Sequence, residues 1–176
     1  MTPIYVAAKW QTPAHRAAVD VIVIHTTETP CLTGMAIRVA QGFARGDRQA
    51  SAHYVIDPAD VVCCVRETEV AWHCPKCNRR GIGIEHCGYT VAQPGQTPTD
   101  WLGDGHASGV LDLSAQLVAE IAARWQIPLV HLTLDQLRVG ARGIISHWDA
   151  TQVFTPGGHV DGSSWPWDAY MQRLNQ

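Results

Sequence analysis

Two stretches share one design: Ile144-Ile145-Ser146-His147-Trp148-Asp149 and Val21-Ile22-Val23-Ile24-His25-Thr26-Thr27-Glu28. Each is an apolar run that delivers a histidine at its C-terminal end. Continuous Val/Ile runs of this length read as strands buried on both faces, the interior of an α/β sheet. Neighbouring strands would set the two imidazoles side by side. The sequel Gly157-Gly158-His159-Val160-Asp161 reads as a glycine-rich loop that can fold back over the strand ends and bring a carboxylate. Two neutral imidazoles and one carboxylate form a three-ligand catalytic zinc set of net charge about +1, with a fourth position left for water. The pattern predicts a zinc hydrolase with His25, His147 and Asp161 as ligands.

Other donors compete. A lone histidine at a strand end is more often a hydrogen-bonded structural residue than a ligand. The chain has nine histidines, and His53, His73 or His159 could replace one of the pair. Asp149 and Asp168 are weaker substitutes for Asp161. The six cysteines include Cys74-Pro75-Lys76-Cys77, with the spacing of a metal knuckle or redox pair. Cystine, buried thiols and a structural zinc all remain open for them.

Around these stretches the chain reads as one domain, residues 1–176, with its core over about 20–172. Residues 1–19 form an extended lead-in. Val19 to Thr26 is a strand, and Thr33 to Arg45 a helix whose stripe is Met35, Val39 and Phe43. Ser51 to Asp57 and Val61 to Val65 form a hairpin across Pro58-Ala59-Asp60. Glu67 to Asn78 is irregular. Gly81 to Cys87 is a strand whose glycines allow close backbone approach. Tyr89 to Gly109 reads as a long loop, with Trp101 in one wall of a cleft. Leu113 to Trp125 is a helix capped by Asp112 or Ser114 and stopped by Pro128. Thr133-Leu134-Asp135-Gln136 has the capping-box pattern. Gly143 to His147 is the last strand, and Trp165 opens a C-terminal helix.

Composition sets bounds. A formal net charge of −3 gives no basic field for nucleic acid. No apolar run approaches the roughly 20 residues of a membrane span. The N-terminus, beginning Met1-Thr2-Pro3, lacks a secretory signal pattern.

In order along the chain stand Val23-Ile24-His25-Thr26-Thr27, Ser51-Ala52-His53-Tyr54-Val55-Ile56, Ala71-Trp72-His73, Gly81-Ile82-Gly83-Ile84-Glu85, Ser146-His147-Trp148-Asp149 and His159-Val160-Asp161. This series resembles the zinc-dependent N-acetylmuramoyl-L-alanine amidases of the type-2 amidase and peptidoglycan-recognition-protein superfamily. The tail, with Trp165-Pro166-Trp167-Asp168, looks most like amidase domains from endolysins of actinobacterial phages. The resemblance implies an α/β fold with a central mixed β-sheet flanked by helices. It implies one zinc ion on His25, His147 and Asp161, and Glu85 as the catalytic carboxylate facing the metal-bound water. Many relatives carry a catalytic tyrosine where this chain has Ala52, and those with alanine usually keep the glutamate. His159 stands where many place a lysine, and would hydrogen-bond the tetrahedral oxygen. Trp72 and His73 would touch the muropeptide. The implied setting is a monomer, made in the host cytoplasm, acting on bacterial peptidoglycan.

Three rivals frame the reading. A non-catalytic peptidoglycan-binding module of the same superfamily would usually lack a zinc ligand. An unrelated zinc peptidase would carry His-Glu-x-x-His on a helix, which is missing here. A thiol oxidoreductase would place its Cys-x-x-Cys at a helix start, whereas Cys74 and Cys77 fall in a loop-like stretch.

Overall fold

The computed structural model describes residues 2–91 and 95–176. In chain order its elements are β1 (Ile4–Tyr5), β2 (Gln11–Thr12), β3 (Val21–Thr26), α1 (Met35–Arg45), β4 (Tyr54–Ile56), β5 (Val61–Cys63), β6 (Val70–Ala71), β7 (Gly81–His86), α2 (Gly105–Trp125), α3 (Leu134–Arg138), β8 (Gly143–Ser146), α4 (His147–Phe154) and α5 (Trp167–Leu174). Six strands form one sheet in the order β1-β5-β4-β7-β3-β8. Only the β4–β5 hairpin pair is antiparallel; the other neighbours run parallel. This is the expected mixed sheet. β2 and β6 make a separate two-stranded antiparallel ribbon.

All six residues of β3 are buried, because helices cover both faces of the sheet. Side chains alternate along a strand. Ile22 and Ile24, with Ile82, Ile84 and Ile144, pack on one face against Leu111, Leu117 and Ile121 of α2 and Tyr170 of α5. Val21, Val23 and Ile145 face the other way, against Leu137 of α3 and Ala150 of α4. α1 lays Ala36 and Ala40 over Val55 of β4 and Val62 of β5. Burying each such isoleucine contributes about 1.5–3 kcal/mol, so these layers hold the strand ends rigidly.

Two helix starts depart furthest from the sequence expectation. α2 begins at Gly105, eight residues before Leu113, with Asp104 as its cap rather than Asp112 or Ser114. Gly105 and Gly109 of that stretch lie inside its first turns, and Gly109 faces the β4–β5 turn. A Cβ there would sit 3.4 Å from the Pro58 carbonyl oxygen. The expected loop is correspondingly shorter, and its residues 92–94 lie outside the described residues. The second difference concerns His147, which opens α4 instead of ending β8. Ser146 ends the strand and caps the helix: its hydroxyl accepts from Asp149 N–H while the Asp149 carboxylate accepts from Ser146 N–H. The Thr133–Gln136 capping box forms as expected. All six cysteines are free thiols, and Cys64, Cys74, Cys77 and Cys87 are buried.

Candidate active site

Parallel strands put their C-terminal ends on one edge of a sheet, where α/β folds bind ligands. Here β7, β3 and β8 are neighbours. Their register pairs His25 with Glu85 and Ile24 with Ser146. Glu85, His25 and His147 therefore crown three adjacent strands. The loop after α4 returns Asp161 to this crest, where its carbonyl accepts from Trp148 N–H at 3.1 Å.

His25, His147 and Asp161 each offer a ligand atom, and these atoms all lie within 4.8 Å of one another. His25 Nδ1 is 2.9 Å from Asp161 Oδ2. His147 Nδ1 is 3.0 Å from both carboxylate oxygens. Burial opposes charge on Asp161, yet hydrogen bonds from His147 and His25 hold its carboxyl well below the usual carboxylate range. His25 is lowered chiefly by burial, which keeps its ring neutral. Tetrahedral zinc with bonds of about 2.0–2.1 Å needs ligand atoms about 3.4 Å apart, close to the present spacing. Neutral imidazoles with an ionised carboxylate are also the right chemical set. The residues fit the ion.

Neighbouring groups hold the histidines in place. His25 Nε2 is 3.1 Å from His73 Nδ1. The His25 carbonyl accepts from His86 Nδ1 at 2.8 Å, and His86 Nε2 accepts from Ser114, whose hydroxyl lies 2.7 Å from Tyr170. His73 rests directly on β7, where a Cβ at Gly83 would come within 2.4 Å of its ring. The glycine thus permits the close approach foreseen from sequence. The His73 ring lines the cleft, with Nδ1 engaged by His25 and Nε2 without a hydrogen-bond partner among the described residues.

Glu85 opens on the cleft, while its Oε2 is buried without a hydrogen-bond partner among the described residues. Burial, then the charges of Asp161 and Glu28, push its carboxyl up to about 8. An unpartnered carboxylate oxygen beside this triad suits a catalytic base facing a cation. His159 is exposed and stacks on His147 at 4.6 Å, with Nδ1 4.0 Å from Asp161 Oδ1. Trp72 lines the cleft, lies 5.6 Å from Trp10, and donates from Nε1 to Thr12. The cleft measures about 450 Å³ and is walled by Val39 and Phe43 of α1 and by Thr27 and Thr29 after β3.

Several competing donors lie elsewhere. His53 Nδ1 accepts from Gly83 N–H, and its ring, driven down to about 3 by burial, is a structural brace. Asp149 caps α4 and pairs with His131. Asp168 sits in the first turn of α5. Trp101, expected in the cleft wall, is instead buried against Trp165 and beneath Gly88. Its indole adds more to the core than to a polar wall.

Solved structures share this architecture. A point mutant of PlyL superposes with a TM-score of 0.70 at 14% identity, covering 100% of this chain and 99% of that one. The Staphylococcus aureus hydrolase AmiA in complex with its ligand gives 0.72 at 13% identity, with coverage of 99% and 82%. The endolysine N-acetylmuramoyl-L-alanine amidase LysCS from Clostridium intestinale URNW gives 0.59 at 17%, with 99% and 95% covered. At these identities the likeness speaks for the fold. No curated protein matches by sequence. The family model for N-acetylmuramoyl-L-alanine amidase matches residues 15–161, a span that runs from before His25 to Asp161 itself. The chain belongs to the N-acetylmuramoyl-L-alanine amidase family, as a peptidoglycan amidase catalytic domain.

Proposed function

We propose that this amidase is a zinc enzyme in which His25, His147 and Asp161 hold the ion and Glu85 handles the protons. The convergence of the three ligand atoms beside the unpartnered Glu85 oxygen carries this reading. Bound there, zinc would supply a Lewis acid that acidifies water and polarises the amide carbonyl. The bond to be cut joins the lactyl group of N-acetylmuramic acid to L-alanine. Glu85 takes a proton from the attacking water and returns it to the leaving amine. One carboxylate can serve in both directions, as base toward the water and then as acid toward the amine. His159, exposed at the mouth, donates to the developing oxyanion. Trp72 gives the muropeptide a flat apolar contact, and His73 meets it only at the cleft floor.

The setting we propose is that of a phage endolysin, made in the host cytoplasm and acting as a monomer at the bacterial wall. The endolysine named among the similar structures supports it. Among the described residues no helix is long and apolar enough to cross a membrane.

Mass spectrometry of digested, purified peptidoglycan tests the reaction. The expected products are stem peptides with a free L-alanine N-terminus and glycan with an intact lactyl carboxylate. Cleavage between sugars, or inside the stem, would overturn it. Glu85→Gln should keep zinc and lose turnover.

A further inference from the structure

Two of the three proposed ligands ride on regular structure, whereas Asp161 comes from an irregular loop between α4 and α5. Its position nevertheless is closely fixed. The peptide unit joining Asp161 to Gly162 is held at both ends: the Asp161 carbonyl accepts from Trp148 N–H, and the Gly162 N–H lies 3.1 Å from the hydroxyl oxygens of both Thr26 and Thr90. These two threonines are buried, and their hydroxyls are 2.6 Å apart. Gly162 has φ +78°, and a Cβ there would meet Ser146 Cβ at 2.9 Å and the Ile24 carbonyl oxygen at 3.1 Å. The loop can seat itself this deeply only as glycine.

A hydroxyl pair can run its protons either way, so something must set the direction. That group is Glu28. Its Oε1 accepts from the Thr26 hydroxyl at 2.8 Å and from Thr90 N–H at 3.0 Å. An ionised carboxylate only accepts. The Thr26 proton is therefore committed to Glu28, and Thr90 must donate its own proton to Thr26. Both oxygens are left with lone pairs for Gly162 N–H. Glu28 adopts φ +54° to reach this place, a conformation that a non-glycine residue holds only when its surroundings enforce it.

We infer that Glu28, Thr26 and Thr90 form a positioning strut that sets the third metal ligand, Asp161, by orienting the peptide behind it. The strut rests on the metal reading above, and it acts through Asp161 without touching the ion. Outer groups that orient a ligand typically change metal affinity 10–100-fold when removed. The loop-borne ligand is the one that needs such help most, because no ladder or helix holds it.

Cobalt(II) binding to the full chain tests it, read by visible absorption, with metal-free thermal unfolding measured alongside. Thr26→Val keeps the shape and deletes the hydroxyl; Glu28→Met, at the cleft rim, keeps length and deletes the acceptor. Each should weaken cobalt binding about 10-fold or more and reduce the intensity of the tetrahedral bands. Thr26→Ser should restore both, and Glu28→Gln, which still accepts, should lie near wild type. Unchanged affinity and spectrum in Thr26→Val and Glu28→Met, with wild type binding normally, would overturn the strut alone. If wild type itself binds no cobalt, the metal reading falls and the strut with it. Should Thr26→Val fail to fold, Glu28→Met decides.

Discussion

His25 and Glu85 are register partners on adjacent parallel strands, so the proposed metal ligand and the proposed base stand shoulder to shoulder at the same height of the sheet. Side-chain alternation puts both on the face where Gly81 and Gly83 leave room for the loop carrying His73. One register shift would move His25 to the α2 face and dismantle the site. The chemistry therefore depends on the pairing of β3 with β7 as much as on the residues themselves.

Glu85 should make the metal-free protein sensitive to pH. Burial raises its folded value from 4.5 to about 8. A carboxyl raised on folding stabilises the fold fully below its unfolded value, and that contribution is lost as pH rises through the folded one. The Glu85 contribution should thus fall between about pH 4.5 and 8, on the order of 2 kcal/mol after allowance for the open cleft. Below pH 6.5 the buried neutral histidines act in the opposite sense, so the difference from a Glu85 variant isolates it. Glu85→Gln should gain stability relative to wild type as pH rises across that range. Urea unfolding at pH 5 and pH 8.5 measures the difference; equal slopes in both proteins contradict the assignment.

His25→Ala and His147→Ala should each abolish stoichiometric zinc binding. His53→Ala should instead leave zinc bound and cost about 1–3 kcal/mol, because Gly83 N–H loses its acceptor. Metal analysis after dialysis, paired with denaturant titration, separates the two classes. Zinc loss in His53→Ala would move the centre inward from where we place it.

Gly83→Ala should be damaging although alanine suits a strand better than glycine. The added Cβ would overlap the His73 ring at 2.4 Å, and overpacking of this kind costs about 1–3 kcal/mol. His73→Phe keeps the bulk while removing the partner of His25 Nε2, and should weaken zinc binding about 10-fold or more. A fall in stability without a change in zinc affinity in His73→Phe would reduce His73 to a packing residue.

Ser146→Ala removes the cap of α4 and should cost about 1 kcal/mol. Because His147 is the first residue of that helix, zinc affinity should fall too, by less than in His73→Phe. Thermal unfolding and zinc titration of the same sample check both.

Much of this was readable in the residues. Val21–Thr26 declared a doubly buried strand, and Gly81-Ile82-Gly83-Ile84-Glu85 announced both a strand and its close contact. What escaped reading has physical causes. α2 starts at Gly105 because Asp104 caps it and its buried face packs on the sheet, which outweighs the low helix propensity of Gly105 and Gly109. His147 reads locally as a strand end because the apolar run hides the Ser146-x-x-Asp149 capping signal that turns the chain into α4. Trp101 belongs to the core since its partner Trp165 is 64 positions away in sequence and invisible to local pattern. Thr26, Thr90 and Gly162 meet only through the fold. The local hint is Gly162 directly after the candidate ligand Asp161.

The most direct test of the central claim is anomalous diffraction at the zinc edge from crystals grown with the metal. A single strong peak about 2.0–2.2 Å from His25 Nδ1, His147 Nδ1 and an Asp161 carboxylate oxygen is the result expected. A peak at the Cys74 and Cys77 thiols with none at the crest of β3, β7 and β8 would contradict it.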